Sequence, residues 1–184
     1  LDENGNLLEE DKQTATEETE SSEETTDKEE ANADEADSDE EEAAEAEADE
    51  AEAELEAAIE VENDLRSEIV TYALQFVGNR YKYGGTNPNT GVDCSGFTSY
   101  VMRHAAEVEL PHSSGGQSRM GRQVSSSEMR PGDIICYGSG KRINHVALYI
   151  GNGQIVHAST ERTGIKVSRW NYRTPVRIVN VLGD

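Results

Sequence analysis

The chain has 184 residues, 38 acidic and 16 basic, with a formal net charge of -22 and 34% hydrophobic residues. That average describes a poor core-former, and no apolar run approaches the roughly 18 residues that a membrane-spanning helix needs. The charge is unevenly placed, however: residues 1–64 hold 30 of the acids and 2 of the bases, while residues 65–184 hold the other 8 acids and 14 bases, a net charge of +6. All ten aromatic residues and all four histidines lie in the second part, whose length suits one compact domain and leaves no room for another. Leu1 is not an initiator Met, so the chain reads as an internal piece, with any signal peptide outside it.

In chain order, residues 1 to about 38 mix Glu, Asp, Thr, Ser and Asn without period, and burial there cannot offset the roughly 1–2 kcal/mol per residue that backbone ordering costs. This stretch is expected to be disordered. Asp39 to Glu62 turns to Ala and Glu, good helix formers, but Leu55 and Ile59 are its first large apolar residues and like charges at i,i+4 oppose the helix. A fluctuating helix is expected rather than a packed one. Residues 1–64 thus read as an acidic low-complexity linker, either a solvated spacer or an arm that folds onto the basic domain or a partner. Charge runs are usually solvated, which favours the spacer.

Asn63 or Asp64 can cap a helix whose residues Leu65, Ile69, Tyr72, Ala73, Phe76 and Val77 follow the 3.6 period until Gly78 and Asn79 end it. A loop rich in Gly, Asn and Pro over 80–92 precedes a second helix, capped by Asp93, with Phe97, Tyr100, Val101, His104, Ala105 and Val108 as its apolar stripe and Pro111 as its stop. Beyond residue 131 come short β-branched runs separated by turn residues: Asp133–Tyr137, His145–Ile150, Gln154–Ala158, Ile165–Ser168 and Val176–Leu182. Helices followed by a meander predict an α+β domain over 65–184, with helices packed on an antiparallel sheet of about five to six strands.

Cys94 falls in the first turn of the second helix, where unpaired N–H groups and the positive end of the macrodipole favour a thiolate. Its own amide can point at a developing oxyanion, and Gly96 keeps the turn uncrowded. A thiolate nucleophile needs a base, itself held by a third group. His145 and His157 flank the turn Gly151-Asn152-Gly153, and a three-residue loop pairing Ile150 with Gln154 would place Ala147 opposite His157 and His145 diagonally beside it on the same face. A two-residue loop would separate them. The bland alternatives stay open: Cys94 as a small buried thiol, and either histidine as one satisfied within the sheet. His104 reads as packing on its helix and His112 as a polar loop residue or a cleft rim. Two cysteines without CxxC or HExxH spacing make a weak metal case, and no cofactor is implied. Cys136, inside an apolar strand, reads as a buried inert thiol rather than a disulfide partner.

The segments Tyr81-Lys82-Tyr83-Gly84-Gly85, Asp93-Cys94-Ser95-Gly96-Phe97, Arg130-Pro131-Gly132-Asp133, Asn144 to Gly151 and Val156-His157-Ala158-Ser159 resemble, in order and spacing, the successive motifs of the NlpC-type cell-wall cysteine peptidases. The resemblance covers about 65–182; residues 1–64 match nothing in it. It implies a papain-like α+β fold that hydrolyses peptide bonds in peptidoglycan stem peptides, often the bond from D-Glu to a diamino acid. Carried over, Cys94 is the nucleophile, His145 the base and His157 the orienting member. Tyr83 stands near the oxyanion, and Asp93 and Ser95 meet the amino end of the substrate. For Asp93, pure N-capping is an equal and compatible reading.

The implied partners are stem peptides or muropeptides, and the implied location is secreted or wall-associated. The net positive charge suits an anionic wall polymer. Nucleic acid is not expected, because the basic residues are scattered and no aromatic platform accompanies them. Rivals are a wall amidase or acyltransferase of the same superfamily and a non-catalytic wall-binding module. An intact Cys94, His145 and His157 set argues against the last.

Overall fold

The computed structural model describes the backbone from residue 37 and side chains from residue 50 onward; the expected disorder of residues 1 to about 38 lies almost wholly outside the described residues. Helix α1 spans Asp37–Leu74. It does not begin at Asn63 or Asp64 as the capping signal suggests, because the Ala/Glu stretch contains no Gly or Pro to interrupt it. Residues 51–61 are all exposed, in keeping with a helix that packs on nothing there. Burial starts at Arg66, and Ile69, Ala73 and Phe76 then form the apolar face, while Val77 stays exposed.

Arg66 is the unexpected member of that face. It is 3% exposed, donates to Asp133 and Asp184, and also meets the carbonyl of Pro131. Arg130 joins the same cluster through Glu62 and Asp184. A buried cation needs such partners, since an unpaired one would cost several kcal/mol.

After α1 come a small ribbon, β1 (Thr86–Asn87) and β2 (Gly91–Val92), then α2 (Cys94–Ala106), the single turn α3 (Ser114–Gln117) and β3 (Arg122–Gln123). The strands β4 (Ile134–Ser139), β5 (Arg142–Gly151), β6 (Gln154–Thr160), β7 (Gly164–Arg169) and β8 (Pro175–Asn180) follow. They form one antiparallel sheet with order β3-β8-β4-β5-β6-β7. The five later strands match the expected runs; β3 and the ribbon are too short for periodicity to show. Helix α2 ends not at Pro111 but at Glu107, whose φ of 56° makes a left-handed cap.

The strand period of two splits the core. Ile134, Cys136, Val146, Leu148, Val156 and Ala158 pack with Ile69, Phe76, Phe97 and Val101 from the helices. Ile135, Tyr137, Ala147 and Ile155 form the opposite face with Val124 and Ile178, covered in part by Met129 and Trp170.

Candidate active site

The start of α2 is fixed by Asp93, which is 9% exposed. Its Oδ1 accepts from the Gly96 amide at 2.8 Å, the Ser95 hydroxyl at 3.3 Å and His112 Nε2 at 2.8 Å, and its Oδ2 accepts from the Gly84 amide at 3.0 Å. One carboxylate therefore caps the helix and ties the Gly84 loop and the His112 loop to it. Gln117, fully buried, reinforces the second tie by donating its two amide N–H groups to the Ser95 and Pro111 carbonyls. The glycines of this region are required by close approach: a Cβ at Gly96 would collide with the carbonyl oxygen of Gly85. Gly96→Ala is expected to cost about 1–3 kcal/mol and to displace the Gly85 loop, seen as a fall in thermal midpoint together with lost turnover.

This scaffold presents Cys94, half-buried, in a cleft of about 430 Å³ whose walls include Tyr81, Tyr83, His112, Arg142 and Asn144. The Val146 amide donates toward the sulfur, so Sγ faces β5 at the residue next to His145. Burial pushes the Cys94 thiol above its ordinary value; the Val146, Ser95 and Cys94 amides pull it down and the Asp93 carboxylate adds to the upward push. The expected lowering by the helix end is thus overturned. Loss of water around the sulfur and a neighbouring anion outweigh the amide dipoles.

The two imidazoles lie on one face, with His145 Nε2 and His157 Nδ1 2.8 Å apart. The register that achieves this differs from the three-residue loop. Gly151 pairs with Gln154 across a two-residue turn in which Asn152 and Gly153 both have positive φ, 51° and 71°. A bulge between Tyr149 and Gly151 then adds one residue to β5, so that Leu148 faces Val156, the pairing a three-residue loop would have given. The bulge corrects the parity.

His157 Nε2 lies 3.0 Å from the Ser168 hydroxyl on β7, a contact the sequence reading missed. Its signal was parity: Lys166 faces His157, so Ser168, two residues on, shares that face. The chain of contacts is satisfied when His145 Nε2–H donates to His157 Nδ1 and His157 Nε2–H donates to Ser168, which leaves His145 Nδ1 as a free base. Burial lowers His145 to about 4, helped by Arg173, and lowers His157 to about 3, helped by His145 and Lys166. Both rings are neutral at pH 7.

Of the other expected residues, Tyr83 stands at the cleft mouth, 83% exposed. Tyr81, half-buried, is the motif tyrosine whose phenol feels the sulfur: burial raises it, and a Cys94 thiolate and Asp93 raise it further. Ser95 is buried and directed at Asp93. His112 stands on the cleft wall, as one reading of its loop allowed. His104 is exposed but stacks on Tyr100 at 4.0 Å. Cys136 is wholly buried and pushed by burial up to about 12, and both cysteines are free thiols. Among the described residues no three His, Cys, Asp or Glu side chains converge to hold a metal ion, and no helix is long and apolar enough to cross a membrane.

Residues 78–178 match the NlpC/P60 family. The murein DD-endopeptidase MepS/murein LD-carboxypeptidase of Escherichia coli K12 is 41% identical over 108 residues, 59% of this chain and 56% of that protein. The probable endopeptidase p60 of Listeria seeligeri is 42% identical over 98 residues, 53% of this chain and 18% of that one. The crystal structure of the NlpC/p60 domain of the peptidoglycan hydrolase SagA superposes with a TM-score of 0.58 at 32% identity, covering 62% of this chain and 97% of that domain. The chain thus spans about half or less of these curated relatives but nearly all of the solved domain. With the family match reaching from the turn after α1 to β8 and enclosing Cys94, His145 and His157, the chain belongs to the NlpC/P60 family, and its fold is the papain-like α+β fold of that family.

Proposed function

We propose that this chain is a cysteine peptidase that hydrolyses peptide bonds in peptidoglycan stem peptides, with residues 65–184 as its catalytic unit and residues 1–64 as an acidic extension. The observation that carries the reading is the Ser168–His157–His145 relay, which ends on the strand whose Val146 amide, next to His145, meets the Cys94 sulfur, with Cys94 in an open cleft. A binding module has no use for a buried, oriented and unprotonated imidazole next to a thiol.

In this reading the resting pair is neutral, and His145 Nδ1 takes the Cys94 proton as sulfur attacks the carbonyl. The tetrahedral oxyanion is met by the Cys94 amide and the Tyr81 hydroxyl, with Tyr83 contacting substrate at the mouth. The C–N bond breaks as His145 returns the proton to the leaving amine. Water, deprotonated by the same ring, then hydrolyses the thioester and restores the thiol. Asp93, with four donors already on it, serves chiefly to hold the nucleophile's helix. Tyr81→Phe is expected to lower kcat by about 10²-fold and Tyr83→Phe by less than about tenfold, read from steady-state rates on one stem peptide.

The active form needs neutral His145, so kcat/KM is expected to rise with pH through an apparent value near 4 and to run flat through neutrality. Stability follows the same sign. Both folded-state values lie below the ordinary 6.5, so the unfolded chain binds protons first, and stability falls as pH drops from about 6.5 toward 3. Chemical denaturation at several pH values checks this, with an expected loss of a few kcal/mol.

The scissile bond is proposed to be D-Glu to diamino acid, and the site of action outside the cell or in its wall. Digestion of defined muropeptides followed by mass analysis tests both the class and the bond. Fragments cut within the stem peptide support the reading; release of whole stem peptides from the glycan would make the chain an amidase instead.

A further inference from the structure

The loop between β7 and β8 brings a cation, Arg173, to the aromatic ring beside the imidazole pair, and among the described residues no carboxylate pairs with it. Tyr172 packs against His157 with ring centroids 5.4 Å apart, and the guanidinium of the next residue, Arg173, lies 5.8 Å from the centre of the Tyr137 ring, itself 6.0 Å from His145. Arg173 Nη2 donates to Asn144 Oδ1 at 3.1 Å, and Asn144 and Arg142 line the Cys94 cleft. Among the described residues Arg66, Arg103 and Arg130 all pair with carboxylates, but neither Arg142 nor Arg173 does.

Such a placement is unfavourable for catalysis by the protein alone. His145 must become an imidazolium during attack, and a nearby guanidinium opposes that charge. The conflict disappears if an anion arrives with the substrate. His145 hands its proton to the leaving amine, so the side of the cleft beyond His145 receives the residue that carries that amine.

Resting on the peptidase reading above, we propose that Arg173, fixed by Asn144 and assisted by Arg142, binds a free carboxylate on the substrate residue that supplies the leaving amine. A guanidinium is suited to this by its planar fork of donors. Because the bound carboxylate also neutralises the charge that opposes the imidazolium, its effect appears in kcat as well as in KM. A diamino acid with a free second carboxylate is the chemical class that fits; the same residue with that group as carboxamide does not.

The test uses the full chain and two stem peptides cut at the same bond, differing only in carboxylate or carboxamide on the leaving residue. The parent is expected to prefer the carboxylate about tenfold in kcat/KM, part of it in kcat, Arg173→Met to bring the ratio close to one, and Arg173→Lys to keep part of the preference. Equal rates for the two peptides in the parent, or an equal fall for both in Arg173→Met, overturn the inference and leave the peptidase reading standing. Failure of the parent to cut either peptide overturns both.

Discussion

Cys94→Ala is expected to lower muropeptide hydrolysis by about 10⁴-fold or more, to the level that binding and oxyanion contacts alone sustain. The loss should come without unfolding. Cys94 is only half-buried, its removal leaves Asp93 and its four donors in place, and Ala favours a helix. A thermal midpoint within a few degrees of the parent, alongside absent turnover, is the expected pair of results. The inert thiol supplies a control. Cys136 is sealed in the helix-side core and held protonated, so Cys136→Ser should lose stability by leaving a hydroxyl in an apolar layer, yet keep the kcat of whatever fraction folds.

In the proposed mechanism His145→Ala is expected to cost about as much as loss of the sulfur, because a nucleophile and its base act as one unit and their effects do not add. His157→Ala should fall less, by about 10²-fold. It removes no proton acceptor for the thiol but frees the His145 ring to rotate and to exchange tautomers. His157→Asn is expected to recover part of that loss, since an amide oxygen can accept from His145 Nε2–H at the same place. Rates for the double variant Cys94→Ala/His145→Ala should match those of either single variant. Losses that multiplied instead would mean that the two side chains act separately.

Much of this site can be read in the chain. The run from Asp93 to Phe97 places a cysteine at a helix start, and two histidines spaced across one hairpin suggest a shared face. What could not be read has physical causes. A bulge near Ile150 restores the parity that the two-residue turn would have broken, and no local residue announces it. The ordering of α1 near Arg66 depends on Asp184, 118 residues away. Which tyrosine of Tyr81-Lys82-Tyr83 turns inward depends on the bridge between Tyr81 and Val92. The Cys94 shift runs opposite to the direction its helix end suggests, because burial of the sulfur outweighs the end amides; desolvation is a tertiary quantity that motif spacing does not carry. Ser168 and Arg173 belong to strand and loop positions without motif character, and only the assembled sheet brings Ser168 to His157 and Arg173 to the Tyr137 ring that neighbours His145.

The assignment of Cys94 is tested most directly by titrating the chain with iodoacetamide while following hydrolysis and the labelled peptide together. Activity is expected to fall in proportion to alkylation of Cys94, reaching zero at one label per chain with Cys136 unmodified, and saturating stem peptide should slow both to the same extent. Hydrolysis that persists in chains fully alkylated at Cys94 would contradict the account.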